Sequence, residues 1–96
     1  MNKKLITEAT DTLDAINNNL TIIGGQLLFK SIEPDIALTQ IGNLKNFMDQ
    51  VLADLKTNNI DYEKDKSLKI RIQTVNRNFT TARRFAKTIS LNQSAK

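Results

Sequence analysis

The chain has 96 residues, 40% of them hydrophobic and 25% charged, with a formal net charge of +4 and neither cysteine nor histidine. That length makes one domain, residues 1–96, burying roughly 60–65% of its unfolded surface. The missing residue types exclude a disulfide frame, the commonest zinc ligands, and any Ser-His-Asp or Cys-His nucleophile.

One proline and three glycines in the whole chain favour helices. The opening "MNKKLITEATDTLDAI" has the lysines of a signal peptide, but Glu8, Asp11 and Asp14 interrupt the apolar middle such a peptide needs. No segment approaches the roughly 18 apolar residues of a membrane span. The expected protein is soluble and cytoplasmic.

The first apolar ladder runs Ile6, Ala9, Leu13, Ile16, Leu20, Ile23 and Leu27, in steps of three and four. That is the spacing of one buried helix face. Within it, "NNNLTIIGGQ" is poor helix material, each Asn or Gly costing about 0.5–1 kcal/mol relative to Ala. The sequence therefore predicts a break or frayed turn near residues 17–25, with "QLLFKS" as a short apolar turn closing the core.

"SIEPDIAL" reads as the next start. Ser31 is the expected cap, Pro34 fits a first turn, and Asp35 favours the positive end of the helix. The second ladder is Ala37, Ile41, Leu44, Met48, Val51 and Leu55, with Gly42 a weak spot inside it. Leu38, Phe47 and Phe85 are assigned to the same core as the ladders. "TNNIDYEKD" is a loop, with Asp61 the expected cap of the third helix.

The third ladder is Leu68, Ile72, Val75, Phe79, Ala82, Ala86 and Ile89. It admits two solutions. One helix can run from about residue 63 to 91, or "NRNFT" can break it, with Thr80 or Thr81 capping a fourth helix. The fold class is therefore all-α, an antiparallel three- or four-helix bundle.

Charge divides the chain. Residues 1–63 hold five lysines against nine carboxylates, a net −4; residues 64–96 hold nine bases against Asp65 alone, a net +8. Such asymmetry suits an anionic partner, or an acidic element lying against a basic one. On a helix, Gln73, Arg77, Thr80, Arg84 and Lys87 form a stripe beside the core ladder, flanked by Asn76 and Arg83. With Arg71 added, Arg71, Gln73, Arg77, Thr80, Arg83, Arg84 and Lys87 are the candidate partner-binding residues. Arginine and asparagine also meet guanine and adenine edges, so a small DNA- or RNA-binding regulator is one reading. The acidic first two-thirds and the lack of a helix-turn-helix signature count against it. A helical chaperone or adaptor is another. Nothing calls for a cofactor, a metal, a small-molecule substrate or catalysis; "IIGGQ" lacks the spacing and the lysine of a phosphate loop.

Several features together resemble a known family. They are the "MNKK" start, the first helix "ITEATDTLDAI", and a second helix after a proline, "PDIALTQIGNLKNFMDQVLADL". A polar loop comes next, then the basic "LKIRIQTVNRNF" and the final "TTARRFAKTIS". The chain resembles the immunity proteins of class IIa (pediocin-like) bacteriocins, of the enterocin A immunity type. The likeness is best over residues 35–91. The family's Thr–Asn–Arg–Phe pattern would fall on Thr74, Asn76 or Asn78, Arg77 and Phe79. The long "NNNLTIIGGQLLFKS" between the first two helices departs from the family, as does the lack of an apolar tail. The resemblance implies a cytoplasmic four-helix bundle without enzymatic activity. It also implies a partner at the inner membrane face, a membrane receptor protein or a receptor–bacteriocin complex, with specificity in residues 64–96.

Overall fold

The structure, a computed structural model, describes residues 3–94, and side chains as far as residue 92. Met1 and Asn2 of the "MNKK" start, with Ala95 and Lys96, lie outside the described residues. Three helices make up the fold: α1 (Lys3–Leu28), α2 (Pro34–Thr57) and α3 (Lys66–Ser94). No strand occurs among the described residues. The links are short, residues 29–33 and 58–65, so α2 returns antiparallel to α1 and α3 runs parallel to α1. Each helix packs on both others, in a rod of 56 × 19 × 18 Å.

The three ladders form one core. Leu13, Ile41, Met48, Leu55, Leu68 and Ala86 are fully buried, and the other ladder residues are buried or pack against them from half-buried positions. Leu38 and Phe85 also pack against this core half-buried. No polar or charged residue is buried among the described residues.

The expected break in the first helix does not occur: α1 is continuous through residues 17–25. Ile16, Leu20, Ile23 and Leu27 are each at most 4% exposed across that stretch. Burying four such side chains contributes about 6–12 kcal/mol. The three asparagines and two glycines cost about 3–5 kcal/mol together. Burial wins. Two of the polar side chains turn back onto the helix: Asn19 Nδ2 donates to Ala15 O at 3.0 Å, and Thr21 Oγ1 to Asn17 O at 3.1 Å.

α1 ends in a Schellman arrangement. Ser31 N–H donates to Gln26 O at 2.8 Å and Lys30 N–H to Leu27 O at 3.2 Å, with Lys30 at φ 58°. α2 ends the same way on Asn59, φ 61°, with Ile60 N–H donating to Leu55 O at 2.9 Å. The "QLLFKS" turn closes less apolar surface than expected, since Leu28 and Phe29 are exposed.

Ser31 does not cap α2; its hydroxyl donates to Gln26 O at 3.2 Å. The cap position is Glu33, which makes no side-chain capping bond, and Pro34 begins the helix. Gly42 sits within an unbroken α2. The cap of α3 is Asp65, not Asp61. Asp65 Oδ1 accepts Leu68 N–H at 3.1 Å, while Asp61 Oδ1 accepts Glu63 N–H at 3.1 Å inside the loop. The four-helix alternative is also corrected. α3 is unbroken through 76–81, and neither Thr80 nor Thr81 begins a helix. Val75, Phe79 and Ala82 are 2%, 2% and 6% exposed there, so a hinge would uncover the ladder's centre. Thr80 Oγ1 instead donates to Asn76 O at 3.2 Å.

Candidate partner-binding face

α3 carries seven bases and no carboxylate in 29 residues. Its buried ladder fixes which of them reach solvent, because successive residues lie about 100° apart around the axis. Gln73, Arg77, Thr80, Arg84 and Lys87, in steps of four and three, fall on the side away from the core, and all five are exposed. They do not run beside the ladder but opposite it. Lys66 and Lys69 extend the same line toward the helix start and are exposed as well. From Lys66 to Lys87 the ridge is about 31 Å long. It is a single row of ammonium and guanidinium groups with uncharged donors between them.

The other two candidates leave this ridge. Arg71 turns toward α1: its Nε lies 3.1 Å from Asp14 Oδ1, and its guanidinium also donates to Ser67 Oγ. Both partners are substantially solvent-exposed, so the pair contributes under about 1 kcal/mol. It still fixes where Arg71 points. Arg83 turns toward α2. Its Cζ sits 5.9 Å from the ring centroid of Phe79, and Lys45 Nζ from α2 approaches the same ring at 5.9 Å. That distance lies at the outer edge of the cation–π range. The seven candidates therefore divide into five on one outer ridge and two on the shoulders, committed to contacts within the bundle.

Asn78 and Asn17 also join α3 to α1 through their side-chain amides, Asn78 Nδ2 donating to Asn17 Oδ1. Asn17, read as a breaker, thus serves a helix–helix contact.

The second surface went unseen in the sequence. Phe47, assigned to the core, is 63% exposed. Met48 next to it is fully buried and holds the core direction of α2, which rotates Phe47 out by about 100°. The signal was available. Ile36, Gln40, Asn43, Phe47 and Gln50 repeat in steps of four and three, a second ladder on α2 without one charge.

Among the described residues no group of His, Cys, Asp or Glu is placed to hold a metal ion. No helix among them is long and apolar enough to cross a membrane. No family model matches the chain, and neither a curated protein nor a solved structure matches it.

Proposed function

We propose that the chain is a non-enzymatic immunity protein of bacteriocin type, protecting its host by protein–protein contact through the outer ridge of α3. The observation that carries this reading is the acid-free helix. A row of exposed bases on a rigid bundle complements an anionic surface and steers its approach. Arginine at two of the five ridge positions adds planar donors suited to carboxylates. The resemblance of residues 35–91 to the pediocin-like immunity proteins supplies the biological setting: a receptor protein, or its complex with the bacteriocin, at the cytoplasmic membrane face.

The direct test is protection. The chain is expressed in a bacteriocin-sensitive Gram-positive strain and challenged with a panel of pediocin-like peptides. Survival against one peptide, lost when Arg77 and Arg84 are replaced by Glu, supports the reading. Uniform killing of cells that contain folded protein sinks it.

The same ridge favours one second reading, a small DNA- or RNA-binding regulator. Phosphate contacts give a salt slope of about −0.9 per contact on duplex DNA. The five ridge bases, Lys66, Lys69, Arg77, Arg84 and Lys87, all engaged, would give a slope of about −4.5. Absence of salt-dependent binding to duplex or single strands removes this alternative.

A further inference from the structure

We propose that the groove between α1 and α2 is the self-association face of the protein, occupied by a second copy of the same chain across a two-fold axis. This inference goes beyond the immunity reading and does not rest on it. In a three-helix bundle, the α1–α2 groove lies on the side opposite α3.

The groove is lined by Asn19, Ile22, Ile23 and Gln26 from α1, and by Gln40, Asn43 and Leu44 from α2. It has a volume of about 370 Å³. A second hollow, around Asn46, Phe47 and Gln50, continues from it through the shared Asn43. Not one of these residues is ionisable. The sequence behind the surface is equally neutral: residues 15–29 contain no charged side chain, nor do residues 36–44. Ile22, Ile36 and Phe47 stand 56%, 53% and 63% exposed along the band. Large apolar groups gathered on one neutral face mark an interaction site.

Charge selects the occupant. A partner presenting ions would have to desolvate them against these ten uncharged side chains; the carboxylates of the same groove, Asp54, which accepts from Gln50 Nε2 at 2.9 Å, and Glu8, lie beyond its neutral half. The occupant therefore presents amides and apolar groups in alternation. This chain carries such a face itself. Side-chain amides donate and accept in equal measure, so two copies of an Asn/Gln band are complementary to each other. An isologous pair places the same patch on both sides. Phe47 of each copy, one helical turn from Asn43, then enters the concavity of the other. The homotypic contact through the outer ridge is worse. Docking through α3 brings together two acid-free cationic helices. Docking back to back through the groove puts those helices at maximum distance and leaves both ridges open.

The band on α2, residues 36–50, is about 21 Å long, and the rod is at most 19 Å across. That footprint falls among small specific interfaces, below about 1,200 Å² in total. Association through so small a footprint is accordingly weak, and the dimer gains population only as protein concentration rises.

The experiment is sedimentation velocity on the full chain, from a few micromolar to roughly 1 mM, the range that brackets a small interface. The expected result is a concentration-dependent doubling of the 10.8 kDa mass. Phe47→Lys, and separately Gln40→Lys, should each weaken the dimer at least tenfold. Both residues are exposed, so helicity by circular dichroism should stay unchanged. Arg77→Glu on the far side should not weaken it. The chain has no cysteine, so single replacements report cleanly. Asn43→Cys, near the proposed axis, should form a disulfide-linked dimer on mild oxidation, and Arg77→Cys should not. A chain that stays monomeric throughout overturns the proposal. So does a dimer indifferent to Phe47→Lys and Gln40→Lys, or a cysteine at position 77 that crosslinks as readily as one at 43.

Discussion

The outer ridge of α3 and the α1–α2 groove sit on opposite sides of one rod, and their interiors are nearly identical. Both are backed by Leu, Ile, Val and Ala at steps of three and four, with Phe79 on the α3 side and Met48 on the groove side. What differs is only what those ladders leave outside: Lys66, Lys69, Arg77, Arg84 and Lys87 on one side, Gln40, Asn43, Phe47 and Gln50 on the other. Interior positions settle that a bundle forms. Exterior positions, which contribute little to stability, settle what each side can meet. A cationic ridge selects by charge and acts at a distance. A neutral amide band acts only at contact and excludes charged partners through desolvation.

The largest effect should come from reversing charge on the ridge. Arg77→Glu with Arg84→Glu changes four units of charge on exposed positions. Stability should move by less than about 1 kcal/mol, while affinity for an acidic partner should fall by at least a hundredfold, read by titration calorimetry or by loss of protection. If the double variant protects as well as the parent, the ridge is only solvated surface and the contrast between the two sides has no functional content.

Salt separates the two sides next. Docking through α3 should weaken as ionic strength rises from about 0.05 to 0.5 M, because the Debye length shrinks from roughly 14 to 4 Å. Self-association through the groove should hold constant or tighten slightly, since each copy carries a net +4 that salt screens. Opposite responses, measured in one buffer series, would confirm two physically distinct surfaces. Parallel responses would mean one surface serves both contacts.

The glycines of α1 test how firmly that helix is built. A Cβ at Gly24 or Gly25 meets nothing within 4 Å, and both lie inside a continuous helix. Gly24→Ala and Gly25→Ala should each stabilise by about 0.8–1 kcal/mol in chemical denaturation. No gain, or a loss, would point instead to a frayed α1.

The same contest between propensity and burial governs how much of the molecule is legible in its sequence. The three apolar ladders and their single core were legible because burial of Leu and Ile is large and strictly periodic. Across "NRNFT" the sequence admits one helix or two, and the burial of Val75, Phe79 and Ala82 decides for one. Weak local signals failed wherever burial competed with them. "NNNLTIIGGQ" looks like a break only while the four buried residues in and around it go uncounted. The caps misled for another reason. Ser31, Asp61 and Asp65 are all competent oxygen acceptors, and only the path of the loop decides which one faces a free N–H. On the functional side, the seven basic and polar candidates were legible by type. Their division into five ridge residues and two shoulder residues required Asp14 and Phe79 to be in place. The neutral groove was missed because its signal is the absence of charge, on a chain whose charge is unevenly shared.

Lys30 gives an effect of similar size. It holds a left-handed conformation at the Schellman position where glycine carries no penalty. Lys30→Gly should stabilise the fold by about 1 kcal/mol, seen as a raised denaturant midpoint with unchanged slope. The substitution also removes the one cation between the exposed Phe29 and the α2 start. It leaves the groove itself untouched, so dimer affinity should not move with it.

The smallest effect concerns Asp14. Removing it in Asp14→Ala breaks a link to Arg71 in which both side chains are partly solvent-exposed. Stability should fall by less than about 0.5 kcal/mol, near the limit of denaturant titration. The informative readout lies elsewhere. Arg71 is held on the α1 shoulder by Asp14 and Ser67. Freed from the carboxylate, it adds an uncompensated cation beside the ridge. Affinity for an anionic partner should then rise modestly, by about two- to fivefold at low salt, and the gain should vanish at high salt. A gain that survives high salt would come from a new direct contact. A loss of affinity would mean that Arg71 already binds the partner in its present position, and the functional face of α3 would extend from its outer ridge around onto the α1 shoulder.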